Sequence, residues 1–411
     1  MGLAPMPHSM KALKTSLLLA FTTATLLAPV RADEPDPLAP WRAGVKIQPV
    51  SPHRDRHVIH AYFNTCPESP DGKYVLYYTS STREGETGDL RILERSTGKE
   101  TIIATDIHTE DAHRAACQQW SNGGKTVVYH DNHDGHWQVM AVDVETGKSK
   151  VLAMDRQVAF GSATGQWAPT YGCHWNPGPH RNLELVNVVT GEVRVAVKAE
   201  DVVKEYGDWM QKRLGSTDMT IFFPVMSHDE KKVFFKVAIP SGGNDFHSMS
   251  ASKRDGKVVY DLEAGRFIRM LDKWGHPSWT PDDKAIFEYG NYATDVVTGK
   301  TERFAQSCIS DHPSVSLDGK LFVTDADVTK RYWGNPGDWA VAVASMKKDD
   351  WVVLQIFSNA KGATTWRHNH PHPSFSADGK RVYYNVNEGP WTTLMVAECA
   401  SASVTMPTSI P

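Results

Sequence analysis

The chain is poor in the features that most quickly assign a protein to a class. It has five cysteines in 411 residues. Cys66, Cys117, Cys173, Cys308 and Cys399 are odd in number and widely spaced, which argues against a disulfide framework. Neither sign of charge is in excess: the net charge is -4, so no global field gathers nucleic acid or an anionic polymer, and no basic stripe offers a local substitute. Gly-x-Ser-x-Gly and a phosphate-binding glycine loop are both missing, which argues against a serine hydrolase and a nucleotide enzyme. Past the N-terminus no segment is apolar enough for a membrane helix. Opposed carboxylates, which a glycosidase needs, are scarce in the candidate loops, where His, Asn and Arg outnumber Asp and Glu.

Tryptophan and histidine, in contrast, are plentiful, at 13 and 18. Indoles are usually core, but exposed ones also serve as platforms for sugar rings. The N-terminal stretch Met10 to Ala32 has a charged start at Lys11 and Lys14, an apolar run from Thr15 to Ala28, and a small-residue end at Val30-Arg31-Ala32. That is the pattern of a secretory signal. Residues 1–32 are therefore expected to be a signal peptide, and the rest a soluble, secreted or periplasmic protein.

The organising feature is a repeat. His370-Pro-His372-Pro-Ser-Phe-Ser-Ala-Asp-Gly-Lys380 puts a short strand, an Asp-Gly turn and a second strand in succession, a hairpin signal. The same pattern recurs at His276 to Lys284 and at His312 to Lys320. Weaker versions of the turn end at Lys73, Lys125, Gln166 and Lys231, and a second, Thr-Gly turn recurs at residues 97–98, 146–147, 190–191 and 298–299. Seven units of strand, turn, strand, loop, strand, turn, strand follow, at roughly 36 to 65 residues each, the range of propeller blades. The predicted fold is all-β: a seven-bladed β-propeller of four-stranded antiparallel blades, occupying residues 59–400. Stacked hairpins in an open solenoid are the alternative. Because the last unit has only three strands, a strand from the N-terminal segment 33–58, either Val45 to Val50 or His57 to Tyr62, is expected to complete it. Asp201 to Leu214 reads as the one helical interruption, capped by Gly215, and residues 401–411 as a tail.

This topology puts the interblade connections and the loops between second and third strands on one face. His276, Cys308, His370 and His372 then lie together at the inner starts of blades 5 to 7, a tetrahedral set of three imidazoles and one thiolate that suits Zn2+ in a structural role. His312, at the same repeat address, is the rival ligand. Singly, such histidines ordinarily hydrogen-bond the blade backbone.

The element at residues 370–379 resembles that of the oligogalacturonate lyases, in which three histidines and a glutamine hold a metal; their glutamine position falls here on Arg367. The three-His, one-Cys set is more similar to the structural zinc site of the ulvan lyases. Asp111-Ala-His113-Arg-Ala-Ala-Cys-Gln-Gln-Trp120 and Tyr129-His-Asp-Asn-His133 resemble the segments that supply the two active-site histidines of that family. Its tyrosine and arginine are matched by Tyr171 and Arg181, with His174 and His180 as competitors nearby. The resemblance implies a polysaccharide lyase that opens a uronate-containing, ulvan-like glycan by β-elimination. It implies proton transfer by His113 and Tyr171, and charge neutralisation by His133 and Arg181. The expected partner is an anionic polysaccharide, not nucleic acid or membrane, and the ring is expected to be a monomer. An oligogalacturonate lyase, or an exported propeller that only binds or scaffolds, remains the alternative; fold alone does not choose.

Overall fold

The structure is a computed structural model that describes residues 35–110, 112–245, 248–328, 335–358, 370–387 and 389–400. The segments read as signal peptide and C-terminal tail, and Arg367, lie outside them. Among the described residues the strands form seven four-stranded antiparallel sheets. Blade 1 runs His57–Ile59, Tyr74–Ser80, Thr87–Glu94 and Glu100–His108. Blades 2 to 6 follow in chain order, beginning at Gln119, Gln157, Thr220, Ser278 and Ser314. The seventh contains Ser374–Phe375, Arg381–Val386 and Thr393–Cys399.

Val45–Pro49 supplies the fourth strand of blade 7, pairing antiparallel with Thr393–Cys399 from Val45↔Cys399 to Pro49↔Met395. Of the two anticipated closing strands it is the one used. His57–Ile59 instead starts blade 1, so the ring includes residues from both sides of the expected boundary at 59. First strands of blades 5, 6 and 7 touch one another, which places the first strands innermost.

The repeated turn has a local cause. In five blades a Ser or Thr hydroxyl donates to the turn aspartate two residues on, and that carboxylate accepts the backbone N–H of the following Lys. The pairs Ser69–Asp71, Thr280–Asp282, Ser316–Asp318 and Ser376–Asp378 illustrate it. These are Asx-type bonds, which offer the backbone a turn where a ladder bond would otherwise be needed. Asp143 and Asp295 likewise accept both the backbone N–H and the hydroxyl of the threonine in their Thr-Gly turns.

The core lies in the seams between blades. Phe160, Phe222, Phe223, Phe234 and Trp279 fill blades 3 to 5, and Phe287 and Phe322 fill the blade 5–6 seam. The last seam is closed by charge. Glu68, 3% exposed, receives two parallel bonds from Arg381 at 2.8 and 2.9 Å and a third from the Tyr383 hydroxyl. The expected helix spans Ala199–Leu214 and ends at Gly215, φ 81°, in the left-handed region. It buries Val202, Met210 and Leu214 against blades 3 and 4. Two further helices, Ala39–Ala43 and Ser248–Ala251, were not legible in the sequence. The first seats Leu38 and Trp41 in the blade 6–7 core.

Candidate active site and metal centre

Five histidines from four interblade connections meet on the loop-rich face. His113 leads into blade 2, His276 into blade 5, His312 into blade 6, and His370 and His372 into blade 7. His372 is the hub: its ring centroid lies 4.7 Å from His312, 5.1 Å from His113 and 5.6 Å from His370. His276 stacks on His312 at 4.4 Å. Donor nitrogens of His113, His370 and His372 lie within 4.8 Å of one another, as do donor atoms of His276, Asp311 and His312, a carboxylate oxygen being the one from Asp311.

Two buried carboxylates set the histidine orientations. Asp325, fully buried, holds His312 Nδ1 at 2.8 Å and the His312 backbone N–H at 3.1 Å through one oxygen; the other takes the backbone N–H of His372 at 3.0 Å. Asp311 holds His276 Nδ1 at 2.8 Å. A carboxylate on Nδ1 fixes the tautomer and leaves Nε2 as the working atom. Burial opposes the charge on His312, but the charge and hydrogen bond of Asp325 outweigh it and raise its pKa. Burial also opposes ionisation of Asp311, yet His276, His312 and His370 pull it down to about 2, so it is an anion.

His372 itself is fully buried, and neither ring nitrogen has a hydrogen-bond partner among the described residues. An unsatisfied buried polar atom costs about 1–3 kcal/mol, so two on one imidazole call for a ligand. Burial, then the neighbouring histidines, holds its pKa well below the ordinary range, which keeps it a neutral donor. His276 and His372 also share an unusual backbone, with φ 50° and 48°, each directly before a proline. Left-handed non-glycine residues of this kind cost roughly 1–3 kcal/mol and gather at functional sites. These observations fit a metal: a ring of imidazole donors with carboxylates behind them is the usual metal arrangement.

Tyr62 and Phe63 plug the channel beneath. The Tyr62 ring lies 4.3 Å from that of His372, and Phe63 lies 5.1 Å from His312. On the far side of Phe63, at the turn face, is an apolar cavity of about 290 Å³ lined by Trp120, Trp279 and Phe375 among others. It lacks a convergent set of titratable groups, so the chemistry belongs to the histidine mouth.

The structure brings together His276, His370 and His372 from the predicted metal set. It does not bring Cys308 to them. Cys308 is fully buried in the apolar blade 5–6 seam with Phe287, Ile309 and Phe322, and is in none of the groups whose donors converge. The neighbouring address His312 takes its place, because the turn at Ala305 to Cys308 folds the thiol into the seam. The predicted catalytic quartet divides four ways. His113 joins the histidine cluster. Tyr171 is 1% exposed, with its hydroxyl 3.4 Å from Arg114 Nη1; burial raises its pKa despite Arg114. His133 sits at the rim of blade 2, bonded to Asp131 at 2.8 Å, with its ring 4.8 Å from that of His108 and tilted to it by 42°. Arg181 turns to Asp218 and to the Met219 carbonyl.

The sequence reading missed five residues of the site and its surroundings. Asp311 and Asp325 adjoin or face the repeated histidines. Arg114, beside His113, is buried against Glu110 and Tyr171. Lys236 and Arg254, on blade 4, approach the Phe222 ring. The motif had signalled only histidines, and the aspartates were legible as the residue before His312 and as alternate positions on the strand Leu321–Asp327.

Fold and site together define a seven-bladed propeller with an imidazole centre on its loop-rich mouth. Among solved structures, an oligogalacturonate lyase in complex with manganese aligns at 16% identity and TM-score 0.59, covering 87% of this chain and 94% of that one. The oligogalacturonate lyase of Vibrio parahaemolyticus aligns at 16% identity and TM-score 0.59, over 86% and 93%. At this identity the likeness is one of fold. No family model matches the chain, and a search of curated proteins gives no match.

Proposed function

We propose that the chain is a metal-dependent lyase that cleaves uronic-acid-containing glycans by β-elimination at the histidine mouth. The observation that carries this reading is His372, fully buried with both ring nitrogens unpartnered at the centre of four other imidazoles. His113, His370 and His372, whose donor nitrogens converge, would hold the ion. With no thiolate among them, zinc loses its special claim, and an imidazole set also takes other divalent ions; manganese is what one structural neighbour carries. When bound, the ion supplies positive charge for the uronate carboxylate, whose enolate-like form must be stabilised for the C5 proton to leave.

His276, oriented by Asp311 and half-buried, is placed as the base. Burial, then Asp311 and His312 acting in opposite senses, lowers its pKa, so a neutral Nε2 is present near neutral pH. It removes the C5 proton, and the electron pair moves into the C5–C6 carboxylate system. The pair then returns to form the C4–C5 double bond as the C4–O4 bond breaks and O4 takes up a proton. Tyr171 and Arg114 support the floor rather than touch substrate. A sulfated, ulvan-like glycan and polygalacturonate both meet the chemistry.

The experiment separates the two roles. His372→Ala is expected to lose bound metal, read by elemental analysis, together with activity. His276→Ala is expected to keep the metal and lose roughly 10²–10⁴-fold in rate. Full metal content in His372→Ala would overturn the assignment.

A further inference from the structure

A second chemical environment borders the histidines and is not used by the reaction as described. Lys236 lies on the second strand of blade 4 (Lys232–Ile239) and is paired with Phe222 across the sheet. Its Nζ stands 4.3 Å above the Trp274 ring and 5.7 Å from that of Phe222. Among the described residues it makes no hydrogen bond and no ion pair. Arg254, at the start of the third strand of that blade (Lys253–Asp261), places its guanidinium 5.9 Å from the centre of the Phe222 ring. Arg114 stands 5.6 Å from the adjoining Phe223 ring.

Positive charge therefore collects here in a protein whose net charge is negative. The local carboxylates are already engaged. Glu110 faces Arg114 and Gln157. Asp255 accepts from both Arg213 nitrogens and from the backbone of Gly256 and Trp274. Burial, with the like charges of Arg254, Lys257 and Arg114, holds Lys236 well below the ordinary lysine range despite Asp255. A buried cation without a counter-charge is costly, and aromatic faces offset only part of that cost. The same lysine is near enough to His276 to oppose its protonation, and Trp274 precedes His276 by two residues. The cationic wall and the proposed base thus open on one mouth.

We propose that Lys236 and Arg254, backed by Trp274 and Phe222, form an oxyanion subsite for the acidic group of the sugar next to the one cleaved. A lysine amine that an incoming anion would draw into its ammonium form, with a guanidinium beside it, suits a carboxylate or a sulfate, and the indole gives the sugar ring an apolar face. The substrate class is then a glycan with acidic groups on successive residues rather than an isolated uronate in a neutral chain. The sugar's identity rests on the lyase reading; the anion site does not.

Binding tests it without turnover. The metal-loaded full chain carrying His276→Ala is titrated calorimetrically with trigalacturonate and, separately, with a sulfated ulvan oligosaccharide. At least one is expected to bind, more weakly as salt rises. Adding Lys236→Met or Arg254→Met should weaken binding about 10- to 100-fold, the scale of a lost charged hydrogen bond. Lys236→Arg should retain binding within a few-fold. Metal content and melting temperature should match the parent, which separates a lost contact from a misfolded blade. Which oligomer is bound decides between carboxylate and sulfate. Binding within twofold of the parent in both methionine variants, or no binding of either oligomer, would overturn the subsite. Failure to form unsaturated product while these variants still lose affinity would count against the lyase reading alone.

Discussion

At the residue scale, the decisive group is a buried acid that touches neither substrate nor metal. Asp325 holds His312 by ring and backbone and the proposed ligand His372 by backbone, so two members of the histidine cluster share one support. Asp325→Asn keeps the shape and removes the charge. Metal affinity, read by competition with a chelating dye, should fall about 10- to 100-fold, the usual loss for a partner behind a ligand. Unchanged affinity would mean that the aspartate only fills space. His130 tests the electrostatics away from the metal. Burial, reinforced by Arg114, drives its pKa down to about 3, against an ordinary value near 6.5. Its folded pKa is depressed, so the unfolded chain binds the extra proton between those values. The stability it contributes is present above about pH 6.5 and is lost as pH falls toward 3. By pH 5 the loss is about 2 kcal/mol. Urea unfolding at pH 7 and pH 5 should show that much less pH dependence in His130→Gln than in the wild type; equal slopes would refute the burial argument.

At the scale of elements, the hairpin was the most legible part of the chain. A Ser or Thr, an Asp two residues later and a Lys after that encode a turn through local bonds alone in five blades, and glycine turns at residues 122–125 and 163–166 mark the other two, so the seven blades could be read from residue order. The same locality explains the helix ending at Gly215. What could not be read depends on contacts across the ring. Val45–Pro49 and His57–Ile59 both look like short strands, and only pairing with Thr393–Cys399, more than 340 residues away, selects one. Cys308 was drawn toward the metal by its address, whereas the turn before it directs the thiol into the seam. Arg181 and His133 lay on the expected face, but at radii that periodicity does not report. The closing seam carries its own prediction. Glu68→Gln removes the buried anion that takes two Arg381 bonds, leaves Arg381 only the more exposed Asp378 at 2.9 Å and Glu398 at 3.6 Å, and should cost about 2–4 kcal/mol, measured by denaturant unfolding. A change below 1 kcal/mol would show that the outer strand alone closes the ring.

At the scale of the molecule, ring closure converts five histidines spread over 260 residues of sequence into one mouth. No single blade contains the site, and the connections into blades 2, 5, 6 and 7 each contribute to it. Tyr62 and Phe63 floor that mouth and separate it from the apolar cavity on the turn face. An active centre there requires the metal, the His276–Asp311 pair and an acidic glycan to meet on one side of the disc. The most direct test is the ultraviolet absorbance of unsaturated uronate when the metal-loaded protein is incubated with polygalacturonate and with ulvan. Absorbance should rise with at least one glycan, vanish on chelation and return when zinc or manganese is restored. No rise with either glycan in fully metal-loaded protein, or a rise that survives complete metal removal, would contradict it.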